Sequence, residues 1–221
     1  MIIHEDIEQG SEEWHGKRAG KITGTKAKAI LGAKSKKDGS LIITDGANTV
    51  IQEKIIELVL GKVQETKQTE EMARGTRLEP ESRALYEFKK DVEVLEVGFI
   101  EVSEYSGFSP DGLVGEDGLW ENKSMNAANH LRAVLFNYVK PDHLYQCQKG
   151  LGDSNRKWCD YTVYNPDVDP SLQFHTIRIY RDEEVIEKIN QAVSIASRLI
   201  EEGYKKYLAI KQNNTTTEGE N

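Results

Sequence analysis

Cys147 and Cys159 are the only cysteines in this 221-residue chain. They could form at most one disulfide, and an iron–sulfur cluster held by four ligands is out of reach. No apolar run approaches the roughly 20 residues of a membrane span. The longest are short stretches such as Leu58-Val59-Leu60. The opening Met1-Ile2-Ile3-His4-Glu5-Asp6 carries an early acidic pair and no basic n-region, so no secretory signal is expected. These absences predict a soluble, cytoplasmic protein whose two thiols stay free.

A local absence matters more. The formal net charge is −8, yet no acidic residue occurs from Trp14 to Lys37, a stretch holding Lys17, Arg18, Lys21, Lys26, Lys28, Lys34, Lys36 and Lys37. Phosphate attraction is local, screened within about 10 Å, so segregated charge can bind nucleic acid on an acidic protein. A solvated basic face fits the run equally well.

The patterning is that of one α/β unit. Ser11-Glu12-Glu13-Trp14 reads as a helix N-cap with an acidic first turn. Thr23-Gly24-Thr25 is a break that can cap a second helix from about Lys26, and Asp38-Gly39-Ser40 reads as a turn. A helix through Val50, Ile51, Ile55, Leu58 and Val59 stops at Gly61, and Pro80 suits the first turn of a helix through Ala84, Leu85 and Phe88. The alternation in Val92–Val102 predicts a strand, and Gly107–Met125 two more around Gly115-Glu116-Asp117-Gly118. Helices from about Ala127 and from Pro141 past Gln148 follow, then strands at Tyr161–Tyr164 and Phe174–Tyr180. Val185, Ile189, Ala192, Ala196, Leu199 and Tyr207 recur at helical spacing, so the last helix packs on the sheet or on another subunit. No repeat or composition shift marks a linker. A single domain over residues 1–211 is expected, with a polar, disordered tail over 212–221.

The chemistry concentrates in Ser109-Pro110-Asp111-Gly112-Leu113 and Leu119-Trp120-Glu121-Asn122-Lys123. A hairpin across the glycine turn would set the Asp111 and Glu121 carboxylates side by side. At 4 Å and an effective dielectric of 20 they would repel by about 4 kcal/mol, which calls for a cation between them. Mg²⁺ suits such a pair and suits phosphodiester hydrolysis. Lys123 shares the strand face of Glu121, while the Asn122 side chain points away and its carbonyl offers a further hard oxygen. Asp-Gly turns and Glu-x-Lys triplets also arise by chance in a charge-rich chain, so placement decides. Trp14, Trp120 and Trp158 read as core and His15 as structural; His130, His143 and His175 lack metal-ligand spacing.

Five ordered motifs carry a family likeness: Trp14-His15 with Arg18 and Ile22-Thr23-Gly24-Thr25, Gly75 to Glu79, Ser109-Pro110-Asp111-Gly112-Leu113, Glu121-Asn122-Lys123, and Gln146-Cys147-Gln148. Together they resemble the YqaJ-type viral recombinases, the lambda-exonuclease family of PD-(D/E)xK nucleases. One departure is Asn122, where the family has an apolar residue. The resemblance implies a restriction-endonuclease-like central mixed β-sheet flanked by α-helices. It implies a Mg²⁺-dependent 5′-to-3′ exonuclease, with two ions that Mn²⁺ can replace. Such an enzyme degrades one strand of linear duplex DNA from 5′-phosphorylated ends, leaving 3′ overhangs for phage-type recombination in a bacterial host. A homotrimeric ring and a single-strand annealing protein are the implied assembly and partner.

Carried over by position, Asp111, Glu121 and the Asn122 carbonyl would bind metal and Lys123 would assist the attacking water. Glu79 and Gln146 would complete the site, and Arg18 and Thr25 would grip the terminal 5′-phosphate. Glu79 could instead be a helix-start carboxylate favoured by the dipole, and Gln148 competes with Gln146 for the site. Alternatives to the whole reading are a structure-specific endonuclease of the same superfamily and a non-catalytic DNA-end-binding module. A Cas4-like enzyme is disfavoured by the missing cysteine set.

Overall fold

The computed structural model describes residues 1–34, 41–63 and 69–218. The chain begins with β1 (Ile2–His4), α1 (Glu12–Arg18), a 3-10 turn at Gly24–Lys26, and a small ladder of β2 (Ala33–Lys34) with β3 (Leu41–Ile42). Helices α2 (Asp45–Leu60) and α3 (Glu70–Lys90) follow, then β4 (Val94–Leu95), β5 (Phe99–Ser103), β6 (Ser106–Phe108), β7 (Gly112–Val114) and β8 (Gly118–Lys123). The remainder is α4 (Ala127–Phe136), α5 (Pro141–Ser154), β9 (Trp158–Tyr164), β10 (Phe174–Tyr180) and α6 (Glu183–Glu218).

Helix starts follow from local chemistry. Ser11 Oγ accepts from the Trp14 N–H, Thr44 Oγ1 from Ala47 and Thr69 Oγ1 from Met72, each at 3.2 Å. Each bond satisfies an orphan amide of the first turn. Gly61, at φ 68°, stops α2 in the left-handed conformation expected of it.

The main sheet has the order β10-β9-β8-β7-β4, with β8 and β9 parallel and every other pair antiparallel, as expected of a central mixed sheet. A second sheet has the order β1-β5-β6. Strand β8 is the centre, and its period of two distributes its residues between layers. Trp120 and Asn122 face α3, where Trp120 packs on Tyr86 and Asn122 bonds Ser82. Leu119 and Glu121 face α5: Leu119 joins the cluster of Cys147 and Leu151, and Glu121 meets Gln146. A second cluster joins Ile22, Ile30, Val50 and Ile51 to Ala192, Ala196 and Ile200 of α6. Burying each large aliphatic side chain contributes roughly 1.5–3 kcal/mol. The apolar stripe of the last helix is thus largely spent on α2 within the same chain. Cys147 and Cys159 are free and buried. Among the described residues no helix is long and apolar enough to cross a membrane.

Several elements differ from the sequence reading, each for a physical reason. No helix forms from Lys26. Ile22 is held extended, its N–H on Tyr105 O at 2.8 Å and its carbonyl on the Gly107 N–H at 3.2 Å, and only single turns follow. Pro80 lies inside α3 rather than in its first turn. An interior proline costs about 3 kcal/mol, and tertiary anchors offset it: Arg74 Nη2 bonds Asn165 Oδ1 at 2.8 Å and Asp167 Oδ2 at 2.7 Å.

The strand expected over Val92–Val102 is split between two sheets as β4 and β5. Gly98 marks the break, because a Cβ there would stand 2.0 Å from the Ile7 carbonyl oxygen. Residues 212–218, expected as a disordered tail, continue α6 to Glu218. No Gly or Pro interrupts the chain after Gly203 until Gly219, and a helix once nucleated propagates cheaply. The turn at Asp38-Gly39-Ser40 and residues 219–221 lie outside the described residues.

Candidate active site

Strands β7 and β8 pair in the register Gly112↔Trp120, across a turn in which Gly115 has φ 51°. Continuing that register sets Asp111 level with Glu121. Asp111 Oδ2 accepts the Asn122 N–H at 2.7 Å. Lys123 Nζ is bonded to Glu121 Oε1, and Gln146 Nε2 donates to the same oxygen at 2.6 Å. Glu79 lines a cleft of about 610 Å³ together with Asp111, Asn122 and Lys123. Candidates from four motifs, on α3, the β7–β8 hairpin and α5, therefore converge on one place.

The structure also places the two side chains for which the sequence left alternatives. Glu79 sits in the middle of the 21-residue α3, so the helix N-terminal dipole does not account for it. Gln148 turns away from the site; its Nε2 donates to Tyr180 O at 2.8 Å and its Oε1 accepts from Asp182 N at 3.0 Å.

The electrostatics follow from crowding acids in a dry site. Burial pushes the Glu121 carboxyl up to about 7; Asp111 adds to this, and Lys123 opposes it. Burial and the Asp111 charge likewise push Glu79 up to about 7, against Arg83 and Lys123. Asp111 is raised by burial, although Lys123 and the Asn122 N–H favour its charged form. Burial disfavours the Lys123 ammonium, but Glu121 and Asp111 outweigh it and hold its pKa above the usual lysine range. Three acids around one ammonium leave an excess of negative charge when all ionise, an arrangement that favours a cation.

The donor set fits a hard ion. Among the described residues no group of three or more His, Cys, Asp or Glu gathers at ligating distance. What gathers is a pair of carboxylates beside main-chain oxygen, which matches the one or two carboxylates that usually anchor Mg²⁺. In a pleated strand a residue's N–H and C=O leave on the same edge, so the Asn122 carbonyl faces the edge on which Asp111 holds its N–H.

Arg18 and Thr25 line a narrow recess of about 30 Å³ with Ser109, Glu121 and Gln146. Arg18 Nη1 donates to Ser109 Oγ at 3.0 Å, and its guanidinium lies 4.1 Å from the Trp14 ring centroid. Burial lowers the Arg18 pKa to about 10, with Glu57 opposing the shift, so it stays charged at neutral pH. Trp14 is only half-buried, and its Nε1 donates to Ser109 Oγ at 2.9 Å and Gly98 O at 3.0 Å. It is a wall for Arg18 rather than a core residue. Trp120 is core, and Trp158 is partly exposed beneath the Arg178 guanidinium at 3.8 Å.

Three further lysines of the basic run are each paired with a carboxylate. Lys21 pairs with Glu101 at 3.0 Å, Lys26 with Glu53 at 2.7 Å and Lys28 with Asp142 at 2.9 Å. The side chains of Lys34, Lys36 and Lys37 lie outside the described residues.

Two features escaped the sequence reading. Ser109 is the shared acceptor that ties Arg18 and Trp14 to the loop before Asp111. His143 lines the main cleft, its Nδ1 2.7 Å from Tyr161 Oη. Its position three residues before Gln146, on the same face of α5, was the available signal. His130 instead bonds Leu172 O at 2.8 Å and His175 bonds Asn137 at 2.8 Å, while His15 is exposed.

With this geometry in hand, comparisons are specific. Residues 13–156 match the YqaJ-like viral recombinase domain. The crystal structure of an alkaline exonuclease, LHK-Exo, from Laribacter hongkongensis is 30% identical, with a TM-score of 0.80 over 93% of this chain and 100% of that one. The same exonuclease in complex with dAMP gives a TM-score of 0.81 at 30% identity, with the same coverage. A phage-related exonuclease from Haemophilus somnus 129PT, 16% identical, shares the fold with a TM-score of 0.65 over 85% of this chain and 96% of that one. No curated protein matches the chain.

Proposed function

Because the chain belongs to the YqaJ-like viral recombinase domain family, we propose that it is a divalent-metal-dependent 5′-to-3′ exonuclease acting on linear duplex DNA. It removes mononucleotides from a 5′-phosphorylated strand and leaves a 3′ overhang for recombination. The observation that carries this reading is the adjacency of two sites. The recess of Arg18 and Thr25 and the cluster of Asp111, Glu121 and Lys123 share Glu121 as a wall.

Asp111, Glu121 and the Asn122 carbonyl would hold the ion, Mg²⁺ by preference of the oxygen donors, with Mn²⁺ able to substitute. A second ion would draw on the further carboxylate of Glu79. A metal held there would supply activation of water and neutralisation of phosphate charge. The protein's own groups do the positioning. Lys123 keeps its proton and presents positive charge toward the phosphate. Gln146 and Lys123 both hold one oxygen of the Glu121 carboxylate, which fixes its orientation. Arg18 has five donors and spends one on Ser109, so it can take a terminal phosphate through two parallel bonds.

The assembly proposed is a cyclic homotrimer around the duplex, with a single-strand annealing protein taking the exposed 3′ strand. The test is digestion of end-labelled linear duplex with and without 5′-phosphate, in Mg²⁺ or in chelator, with products identified. The reading requires 5′-mononucleotides, dependence on divalent metal, and faster attack on phosphorylated ends. Internal cuts in closed circular DNA would favour an endonuclease.

A further inference from the structure

A strand cut one nucleotide from its end must continue somewhere beyond the scissile bond, and three clefts meet at the Asp111 cluster. The Arg18 recess, at about 30 Å³, is small enough to suit a terminus and not a continuing chain. A second cleft, reached past Glu79 and Asp111, is lined by Glu5, Asp6 and Glu8 and by an Arg83–Glu96 ion pair, so its net charge is negative and disfavours phosphate. The third is the 610 Å³ cleft, whose wall beyond Lys123 carries Arg132, Tyr138 and Lys140. All three residues are exposed, and neither Arg132 nor Lys140 forms an ion pair among the described residues. They contrast with Lys21, Lys26 and Lys28, each of which is neutralised by a carboxylate. The Arg132 guanidinium sits 5.1 Å from the Tyr138 ring centroid, so cation and ring form one platform. Glu71, also lining this cleft, is engaged by Asn126 Nδ2 at 3.4 Å. Ser124 Oγ, next to Lys123 on the same wall, is buried without a hydrogen-bond partner among the described residues.

We propose that Arg132, Tyr138 and Lys140 form a subsite for the retained part of the scissile strand, the nucleotides on the 3′ side of the bond being cut. Arg132 and Lys140 take successive phosphates, and Tyr138 packs on a base or sugar, as aromatic side chains do along single strands. The subsite rests on the exonuclease reading. It adds to that reading which wall the substrate follows and why it avoids the acidic side.

The experiment follows release of the first labelled nucleotide in a single turnover from 5′-phosphorylated duplex. The linkages one, two and three positions beyond the scissile bond are replaced singly by uncharged methylphosphonates. In the native protein a neutral linkage at a contacted position should raise the half-saturating protein concentration about tenfold and leave the maximal rate within about twofold. The Arg132→Ala/Lys140→Ala variant, which lacks both contacts, should start above the value raised by any single neutral linkage and show no further response. Its log–log salt slope should be shallower by about one per cation removed. Both positions are exposed, and an unchanged melting temperature verifies the fold. A variant that keeps the native response to the neutral linkage, or a native protein with none, overturns the subsite. Failure of the native protein to release any nucleotide from unmodified duplex is a different pattern, which removes the exonuclease reading and the subsite with it.

Discussion

Asp111 holds the main-chain N–H of Asn122 at 2.7 Å, so one carboxylate oxygen is committed to the neighbouring strand. The bond fixes the height of Asp111 relative to Glu121 and keeps the Asn122 carbonyl turned to the same edge. The spacing of the two acids is thus set by the hairpin and not by flexible side chains.

Loss of any member of this arrangement should be severe. Asp111→Asn, Glu121→Gln and Lys123→Ala are each expected to lower nucleotide release by at least about 100-fold. Affinity for duplex ends should fall far less, because most phosphate contacts lie elsewhere. Digestion near the native rate by either carboxylate variant rejects the assignment.

Arg18 should act on end chemistry. Arg18→Ala is expected to erase most of the preference for 5′-phosphate over 5′-hydroxyl ends while changing overall DNA affinity less, since a planar guanidinium holds a phosphate in a way lysine cannot. Competition between the two substrates in one reaction measures the preference. Full discrimination by the variant would leave Arg18 a structural partner of Ser109 and Trp14.

Stability should depend on pH in a direction set by the acids. Glu79 and Glu121 have folded pKa values raised to about 7 from an ordinary 4.5. The folded state therefore binds more protons than the unfolded state between these values. The stabilisation is full below about 4.5 and is lost as pH rises through 7. Lowered carboxylates such as Asp142 act in the opposite sense at lower pH. Metal-free protein should lose several degrees of melting temperature from pH 5 to 8 relative to Glu79→Gln/Glu121→Gln. Mg²⁺ should restore stability at pH 8 far more than at pH 5. A difference between the two proteins that is flat with pH would contradict the raised values.

The ring is testable by mass. Light scattering should give three times the monomer mass, and digestion of long duplex should continue after excess competitor DNA is added. Since α6 spends Ala192, Ala196 and Ile200 on α2, subunit contact must use other surface. A monomer that dissociates after each short burst would discard the ring and leave the nuclease chemistry standing.

What the sequence disclosed was set by short-range rules. The alternation Trp120, Glu121, Asn122, Lys123 implies two faces of one strand, and the glycine turn implies the hairpin. Both are read within a dozen residues. The misreadings came from distant groups. Pro80 suggests a helix start until Arg74 is seen anchored to Asn165 and Asp167. The Val92–Val102 pattern looks continuous until Ile7 arrives against Gly98. Ser109 gives no local sign of receiving Trp14 and Arg18, some ninety residues earlier. The basic run reads as one surface because its neutralising partners, Glu53, Glu101 and Asp142, come from elsewhere in the chain.

Ser82 Oγ donates to Asn122 Oδ1 at 2.6 Å, with both residues buried. This bears on Asn122, the position between Glu121 and Lys123 at which the family resemblance implies an apolar residue. A buried amide or hydroxyl left alone costs about 1–3 kcal/mol, whereas a well-shaped apolar pair is nearly neutral. The two positions should therefore be inherited together. Lineages with leucine at the position of Asn122 should carry alanine or another non-hydroxyl residue at that of Ser82, and intermediates with only one change should be rare. Descent across this family would then record a paired step between helix and strand, visible as covariation of the two positions.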